Sequence, residues 1–238
     1  MTVYIEGNIG SGKSTLTPIL ADALKAEFIL EPVSVWEEVK DSNGTSILDK
    51  FYSSMERYAY AFQSFAFLSR LQMLNNINET QLTLVERSIY ADRNVFAENC
   101  YEDTILDPLE WQVYEKWFDW CEHRVPCHVR DDQAIFLYLR TDPAICMDRI
   151  RERGRPAEEH IKLDYLERLH KKHEEWLCSN DRLNVVIIDG NCDADVVVTN
   201  AISALQSYAD VTNALTASRS YSEGDQERDI SDRCTDTI

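Results

Sequence analysis

The chain has 238 residues, with 42 acidic side chains against 24 basic ones and a formal net charge of −18. That sign argues against sequence-independent nucleic-acid binding, which needs a basic footprint, and equally against an anionic membrane surface. The length suits one large domain or two small ones with a full hydrophobic core.

Thr2-Val3-Tyr4-Ile5-Glu6 is a β-rich run that feeds Gly7-Asn8-Ile9-Gly10-Ser11-Gly12-Lys13-Ser14-Thr15. Leu16, Ile19, Leu20, Ala23 and Leu24 then recur at helical spacing. Gly7 to Ser14 fits G-x-x-x-x-G-K-[ST] in its required setting, strand before and helix after. Glycines at 7, 10 and 12 let backbone N–H groups turn towards phosphate oxygens, and the helix adds its positive dipole end. Lys13 is expected to reach the β- and γ-phosphates and Ser14 to hold Mg²⁺. The chain therefore reads as a binder of a nucleoside triphosphate.

Glu27 to Leu30 follow as a short strand ending at Glu31-Pro32-Val33, because proline cannot donate to a ladder. Asp41-Ser42-Asn43-Gly44 is turn chemistry. From Ile47 to about Asn78, Leu48, Phe51, Met55, Tyr58, Phe62 and Phe65 recur at steps of three and four. The spacing predicts one helix, or two nearly continuous ones. Gln81 to Val85 is the next strand, running into Glu86-Arg87-Ser88, with a helix expected over about Ala91 to Asn99. Pro108 opens another helix, carrying Trp111, Trp117 and Trp120. Ala134 to Leu139 is a clear strand, and Asp142-Pro143 caps a helix that halts at Gly154. A helix over about Leu163 to Leu177, a strand at Val185 to Ile188 and a helix around Asp193 to Tyr208 complete the order. Past Asp210 the composition turns to Ser, Thr, Asp and Arg, which predicts a domain over 1–209 and an acidic, disordered tail over 210–238.

Five strands alternating with helices predict an α/β fold: a five-stranded parallel sheet with helices on both faces. In such sheets ligands gather at the carboxyl ends of strands. The first three strands deliver the phosphate loop, Glu31 and Glu86-Arg87 to that edge. Phosphoryl transfer requires charge neutralisation and a group to take the nucleophile's proton. Glu31 is the candidate base, Arg87 its orienting partner and Glu86 a Mg²⁺ holder through water. Arg149 and Arg153 share a helix face, with Arg155 just beyond the glycine, and read as a lid over the triphosphate. Gln63, one residue after Phe62 in an otherwise apolar stretch, can make two hydrogen bonds to a nucleobase edge. Seven cysteines without a C-x-x-C pair suit reduced thiols. With no apolar run near the ~18 residues of a membrane span and no room for a leader before the first strand, a cytoplasmic protein is expected.

The residues just quoted resemble one family. The loop over 6 to 15, Glu31-Pro32-Val33 with Trp36, Phe62-Gln63, Ser69-Arg70, Glu86 to Arg93, Arg149 to Arg155 and Leu163 to Leu177 occur in the order and spacing of the deoxynucleoside kinases. The resemblance covers residue 2 to about 208. It implies a P-loop kinase fold with an arginine lid, ATP or another nucleoside triphosphate as donor, Mg²⁺, and a homodimer. Glu31 would be the base for the 5′-hydroxyl and Arg87 its partner, while Gln63 would read the base edge between Trp36, Phe62 and Phe96. Tyr52 and Glu158 would contact the sugar 3′-hydroxyl. Ala66, Arg70 and Asp92 are similar to the deoxycytidine and deoxyguanosine kinases, so deoxycytidine and purine deoxynucleosides are expected over thymidine. Two departures leave points open. Pro156-Ala157 before Glu158-Glu159 leaves either glutamate as partner of the lid arginines. Gly190-Asn191-Cys192-Asp193-Ala194 lacks an aromatic for the donor base. A nucleoside monophosphate kinase of the thymidylate kinase type is the rival, although Glu31 would repel an acceptor phosphate. A P-loop switch is the third reading, but its switch segments are not recognisable here.

Overall fold

Alternation along β1 (Thr2–Glu6) assigns the two faces of the sheet. Val3 and Ile5 point into one cluster with Leu16 and Leu20 of α1 (Lys13–Leu24). Val197, Ala201 and Leu205, from a helix over residues 194–208 (α10), complete that side. Tyr4 points to the other face, into an aromatic cluster with Phe62, Phe67, Tyr114, Phe118 and Phe136. The structure, a computed structural model, describes residues 1–208 apart from 76, 79 and the side chain of 128, so the expected tail over 210–238 lies outside the described residues.

β2 (Glu27–Ile29), β3 (Thr83–Glu86), β4 (Ile135–Arg140) and β5 (Asn184–Asp189) join β1 in one parallel sheet of order β2-β3-β1-β4-β5. The chain leaves β1 towards β2 and leaves β3 towards β4, so the crevice between β1 and β3 is the topological switch point. The phosphate loop and Glu86-Arg87 flank that crevice, with Glu31 just beyond the neighbouring β2.

Between β2 and β3 lie α2 (Val33–Glu38), α3 (Ile47–Ser53) and α4 (Met55–Leu74). Of the two arrangements expected from Ile47 onward, the chain takes the second, two nearly continuous helices. Ser46 and Asp49 close a capping box on α3, worth about 1 kcal/mol, and Ser54 leaves helical geometry at φ −154°, ψ 69° before α4 begins. After β3 the chain is helical from α5 (Ile89–Ala91) through a π-helical turn at Asp92–Ala97 to α6 (Glu98–Glu102), longer at both ends than the expected Ala91 to Asn99. α7 (Pro108–Glu122) starts on a capping box between Asp107 and Glu110. Asp142 caps α8 (Pro143–Arg153), which stops where Gly154 takes φ 62°. α9 (Leu163–His173) packs on α8 and continues into a second π-helical turn at Glu174–Cys178. Among the described residues no helix is long and apolar enough to cross a membrane.

Candidate active site

The loop from Gly7 to Ser14 is held from three sides. Asn8 Nδ2 donates to the Leu166 carbonyl on α9 at 2.8 Å, and Asn8 Oδ1 accepts from the Ile9 N–H at 2.9 Å. Arg149 on α8 donates to the carbonyls of Ser11 and Gly190, both at 3.1 Å. Gly10 has φ 77°, and a Cβ there would lie 2.5 Å from the Cys146 carbonyl oxygen, so only glycine lets the loop lie against α8. Lys13 Nζ donates to the carbonyls of Gly7 at 3.1 Å and Asn8 at 2.7 Å. Burial, and then the nearby Arg87 guanidinium, pull its pKa down to about 8, which leaves it cationic at neutral pH.

Across the crevice, Glu31 collects two guanidiniums on one oxygen. Arg87 Nε donates to Glu31 Oε1 at 3.2 Å, and Arg70 Nη2 donates to that same atom. Arg70 also donates to Asp92 Oδ1 and lies 4.9 Å above the Trp36 ring, so one buried arginine bridges two carboxylates. Burial alone pushes Glu31 upward, but Arg70, Arg87 and Lys13 outweigh it and hold the carboxyl at about 2. Burial pushes Asp92 up to about 6, with Arg70 opposing. Glu86 accepts the Ser14 hydroxyl at 2.6 Å through Oε1 and the Glu31 N–H at 3.3 Å through Oε2. Strand end, helix start and base candidate are thereby tied together.

One cleft of about 680 Å³ joins these groups. Ile9 to Thr15 line it at one end, and Trp36, Tyr52, Phe62, Gln63, Ala66, Arg70, Asp92 and Phe96 line the other, with Glu31, Glu86 and Arg87 between. Gln63 is buried and donates weakly from Nε2 to Cys100 Sγ at 3.9 Å. Trp36 stands edge-on to Phe62 at 5.4 Å, its indole N–H satisfied by Ser69 Oγ at 2.9 Å. Arg149, Arg153, Arg155 and Glu158 complete the rim. Glu158 takes Arg153 at 2.6 Å and Arg155 at 2.9 Å, while Glu159 is exposed, so Glu158 is the partner of both arginines. Gly7 and Asn8 shape the loop from behind rather than lining the cleft.

Sequence reasoning missed two walls. Leu48 and Phe51 line the cleft, with Phe51 stacked on Phe62 at 4.5 Å, although their helical repeat reads as core. At the loop end, Leu16, Ile19, Cys192, Ala194, Val197 and Val198 form an apolar rim. No sequence signal marked that rim, because Ile19 recurs with Leu16 and Leu20 at helical spacing and reads as core, whereas the fold leaves it exposed.

A parallel sheet with a phosphate-loop motif at its switch point, opening into one cleft lined by buried carboxylates and aromatic rings, is the architecture of a P-loop phosphotransferase. The chain belongs to the deoxynucleoside kinase family, whose profile matches residues 3–211. It is 40% identical over 195 residues to deoxycytidine kinase of Mus musculus, covering 74% of each chain. It is 34% identical over 199 residues to a probable deoxycytidine kinase of Fowlpox virus (strain NVSL), covering 82% of this chain and 80% of that one. Mitochondrial thymidine kinase 2 of Homo sapiens matches at 34% over 175 residues, 74% of this chain and 63% of the relative. The chain is thus a kinase that phosphorylates deoxynucleosides from a nucleotide donor, in nucleotide salvage, a reading favoured over a monophosphate kinase or a switch.

Proposed function

We propose that this enzyme transfers the γ-phosphoryl group of ATP, or of another nucleoside triphosphate, to the 5′-hydroxyl of deoxycytidine and purine deoxynucleosides in preference to thymidine. The observation that carries the base preference is the buried Arg70–Asp92 pair, which lines the same cleft as Gln63. A guanidinium held there fills the space a thymine methyl needs and offers polar contacts to an exocyclic group. The Gln63 carboxamide gives a donor and an acceptor to the base edge, and the rings of Trp36, Phe62 and Phe96 wall it. Tyr52 and Glu158 serve the sugar 3′-hydroxyl. Phosphorylation of the four deoxynucleosides side by side tests this reading; thymidine as preferred substrate contradicts it.

Glu31 Oε1 is occupied by the two arginines, and Oε2 accepts the hydrogen bond of the 5′-hydroxyl. A carboxylate held so far below the usual range is a weak base. That suits a loose transition state in which the nucleophile's proton leaves late, so orientation counts for more than basicity. Arg87 keeps the carboxylate turned to the hydroxyl. Lys13, Arg149, Arg153 and Arg155 meet the charge of the phosphates. Ser14 Oγ and Glu86 Oε1, 2.6 Å apart, form a hard oxygen pair suited to Mg²⁺, with Glu86 acting through water. An ion held by these residues would supply charge neutralisation to the triphosphate.

A homodimer and a cytoplasmic setting complete the reading. Leu109, Val113, Trp117 and Trp120 stand exposed at steps of four, four and three along α7, and Leu68 on the adjoining α4 is exposed too. An apolar stripe of that size suits a second copy of the same chain. The six cysteines among the described residues are free thiols, which fits a reducing compartment.

A further inference from the structure

Glu6 plays no part in the transfer as described so far, yet it stands directly behind it. It ends β1 on the Tyr4 side of the sheet, immediately before the phosphate loop, and is wholly buried. Its Oε1 accepts the Ser88 N–H at 2.7 Å. Its Oε2 has no hydrogen-bond partner and faces Arg87 Nη1 at 3.9 Å, and that nitrogen has none either. A buried carboxylate oxygen and a buried guanidinium nitrogen thus face each other, neither with a hydrogen-bond partner among the described residues.

Arg87 is held by more contacts than a bridging arginine needs. Its backbone is in the left-handed region at φ 67°, unusual for a residue other than glycine and sustained where the surroundings over-determine it. The Arg87 N–H donates to Ile5 O at 3.1 Å, Nη2 donates to Gly7 O at 3.0 Å, and the Phe96 ring lies 4.5 Å from Cζ. His173, edge-on to Phe96 and stacked on Tyr138, is kept neutral by burial and closes this chamber without adding charge. The guanidinium therefore has β1 and the loop behind it and Glu31 in front.

We infer that Glu6 is a positioning residue for the transfer: from behind, its charge sets the Arg87 guanidinium that in turn orients Glu31. Two carboxylates share one guanidinium, so Arg87 is drawn back towards β1 as well as forward. Without the rear charge, Arg87 swings onto Glu31, and its Nη2 contact with Gly7, the first residue of the loop, loosens. Burial pushes the Glu6 carboxyl above its usual range, and Arg87, Ser88 and Lys13 oppose that shift and favour the charged form. This inference rests on the reading that Arg87 orients Glu31, and the experiment separates the two.

Glu6→Gln keeps the volume and an oxygen for the Ser88 N–H, and replaces the charged Oε2 that faces Arg87 with a neutral amide NH2. Its kcat should fall by about 10- to 100-fold, the scale of a misplacement of about 1 Å, with KM for deoxycytidine and for the triphosphate within about twofold. In an Arg87→Gln background the same substitution should change kcat by less than about twofold, because the relay is already cut. A purely structural role would add its loss in both backgrounds. If Glu6→Gln retains wild-type kcat while Arg87→Gln loses it, or if the two losses multiply, the inference is overturned. If Arg87→Gln itself retains turnover, the Arg87–Glu31 reading is what fails. Should Glu6→Gln not fold at the assay temperature, Glu6→Asp, which keeps the charge but withdraws it by one methylene, is read against the same outcomes.

Discussion

Replacing Glu31 by Gln removes one negative charge from a site where two arginines converge on a single oxygen. The catalytic cost expected for losing the group that takes the nucleophile's proton is about 10²–10⁴-fold in turnover. The stability cost follows from the ionisation. Holding the carboxyl at about 2 rather than at 4.5 stabilises the fold by up to about 3 kcal/mol, at 1.36 kcal/mol per pH unit. The Glu31 side chain is 20% exposed, so solvent screens little of this. For a domain of this size that is a fall in Tm of up to about 6–12 °C. A depressed carboxyl contributes its full stabilisation above its unfolded pKa and loses it as pH drops towards the folded one. The Tm gap between wild type and Glu31→Gln should therefore be widest at neutral pH and narrow as pH is lowered from 5 towards 3. Single-turnover 5′-phosphorylation and melts across that range are the assays. Near-normal turnover would remove Glu31 from the mechanism, and a gap independent of pH would refute the ion-pair account.

Burial raises Asp92 to about 6, so its charge, and with it the pair to Arg70, is present above that pH and lost below. KM for deoxycytidine should rise as pH falls through about 6, and a pH-rate series on Asp92→Asn should show no such step. Trp117→Glu, placing a charge in the α7 stripe, should leave the protein monomeric in sedimentation runs where the unsubstituted chain, on the proposal above, sediments as a dimer. Glu158→Gln leaves Arg153 and Arg155 without their shared partner. It should raise KM for the deoxynucleoside by about 3- to 30-fold, as for loss of a contact of about 1–2 kcal/mol, and steady-state kinetics would show it.

Much of this was legible because the signals were local. The glycines of the loop state their own backbone demands, and strand ends at Glu31 and Glu86 follow from proline and from the apolar runs. The sheet order was not legible, since pairing β3 beside β1 depends on contacts some 80 residues apart along the chain. α2 escaped notice because six residues with Pro32 as cap carry no periodic signal. The π-helical turn at Asp92–Ala97 breaks the 3.6-residue repeat, so the facing of Asp92 and Phe96 could not be counted from spacing. Leu48 and Phe51 were hidden differently: one helix face serves both core and cleft, and hydrophobicity does not separate the two. The double engagement of Arg70 was also invisible. The family resemblance points to Arg70 and Asp92 together, whereas the contact with Glu31 needs α4 and the end of β2 to meet.

The claim at the centre of this account is that Arg70 and Asp92, lining the same cleft as Gln63, choose the base. Measuring kcat/KM for deoxycytidine and thymidine, in the wild-type enzyme and in Arg70→Met/Asp92→Ala, tests it most directly. The account predicts a wild-type ratio favouring deoxycytidine by about 10²-fold or more, as expected where a site's polar groups go unpaired with the wrong base. In the double variant the ratio should collapse towards thymidine. A wild-type enzyme that prefers thymidine, or a ratio unmoved by the double substitution, would contradict it.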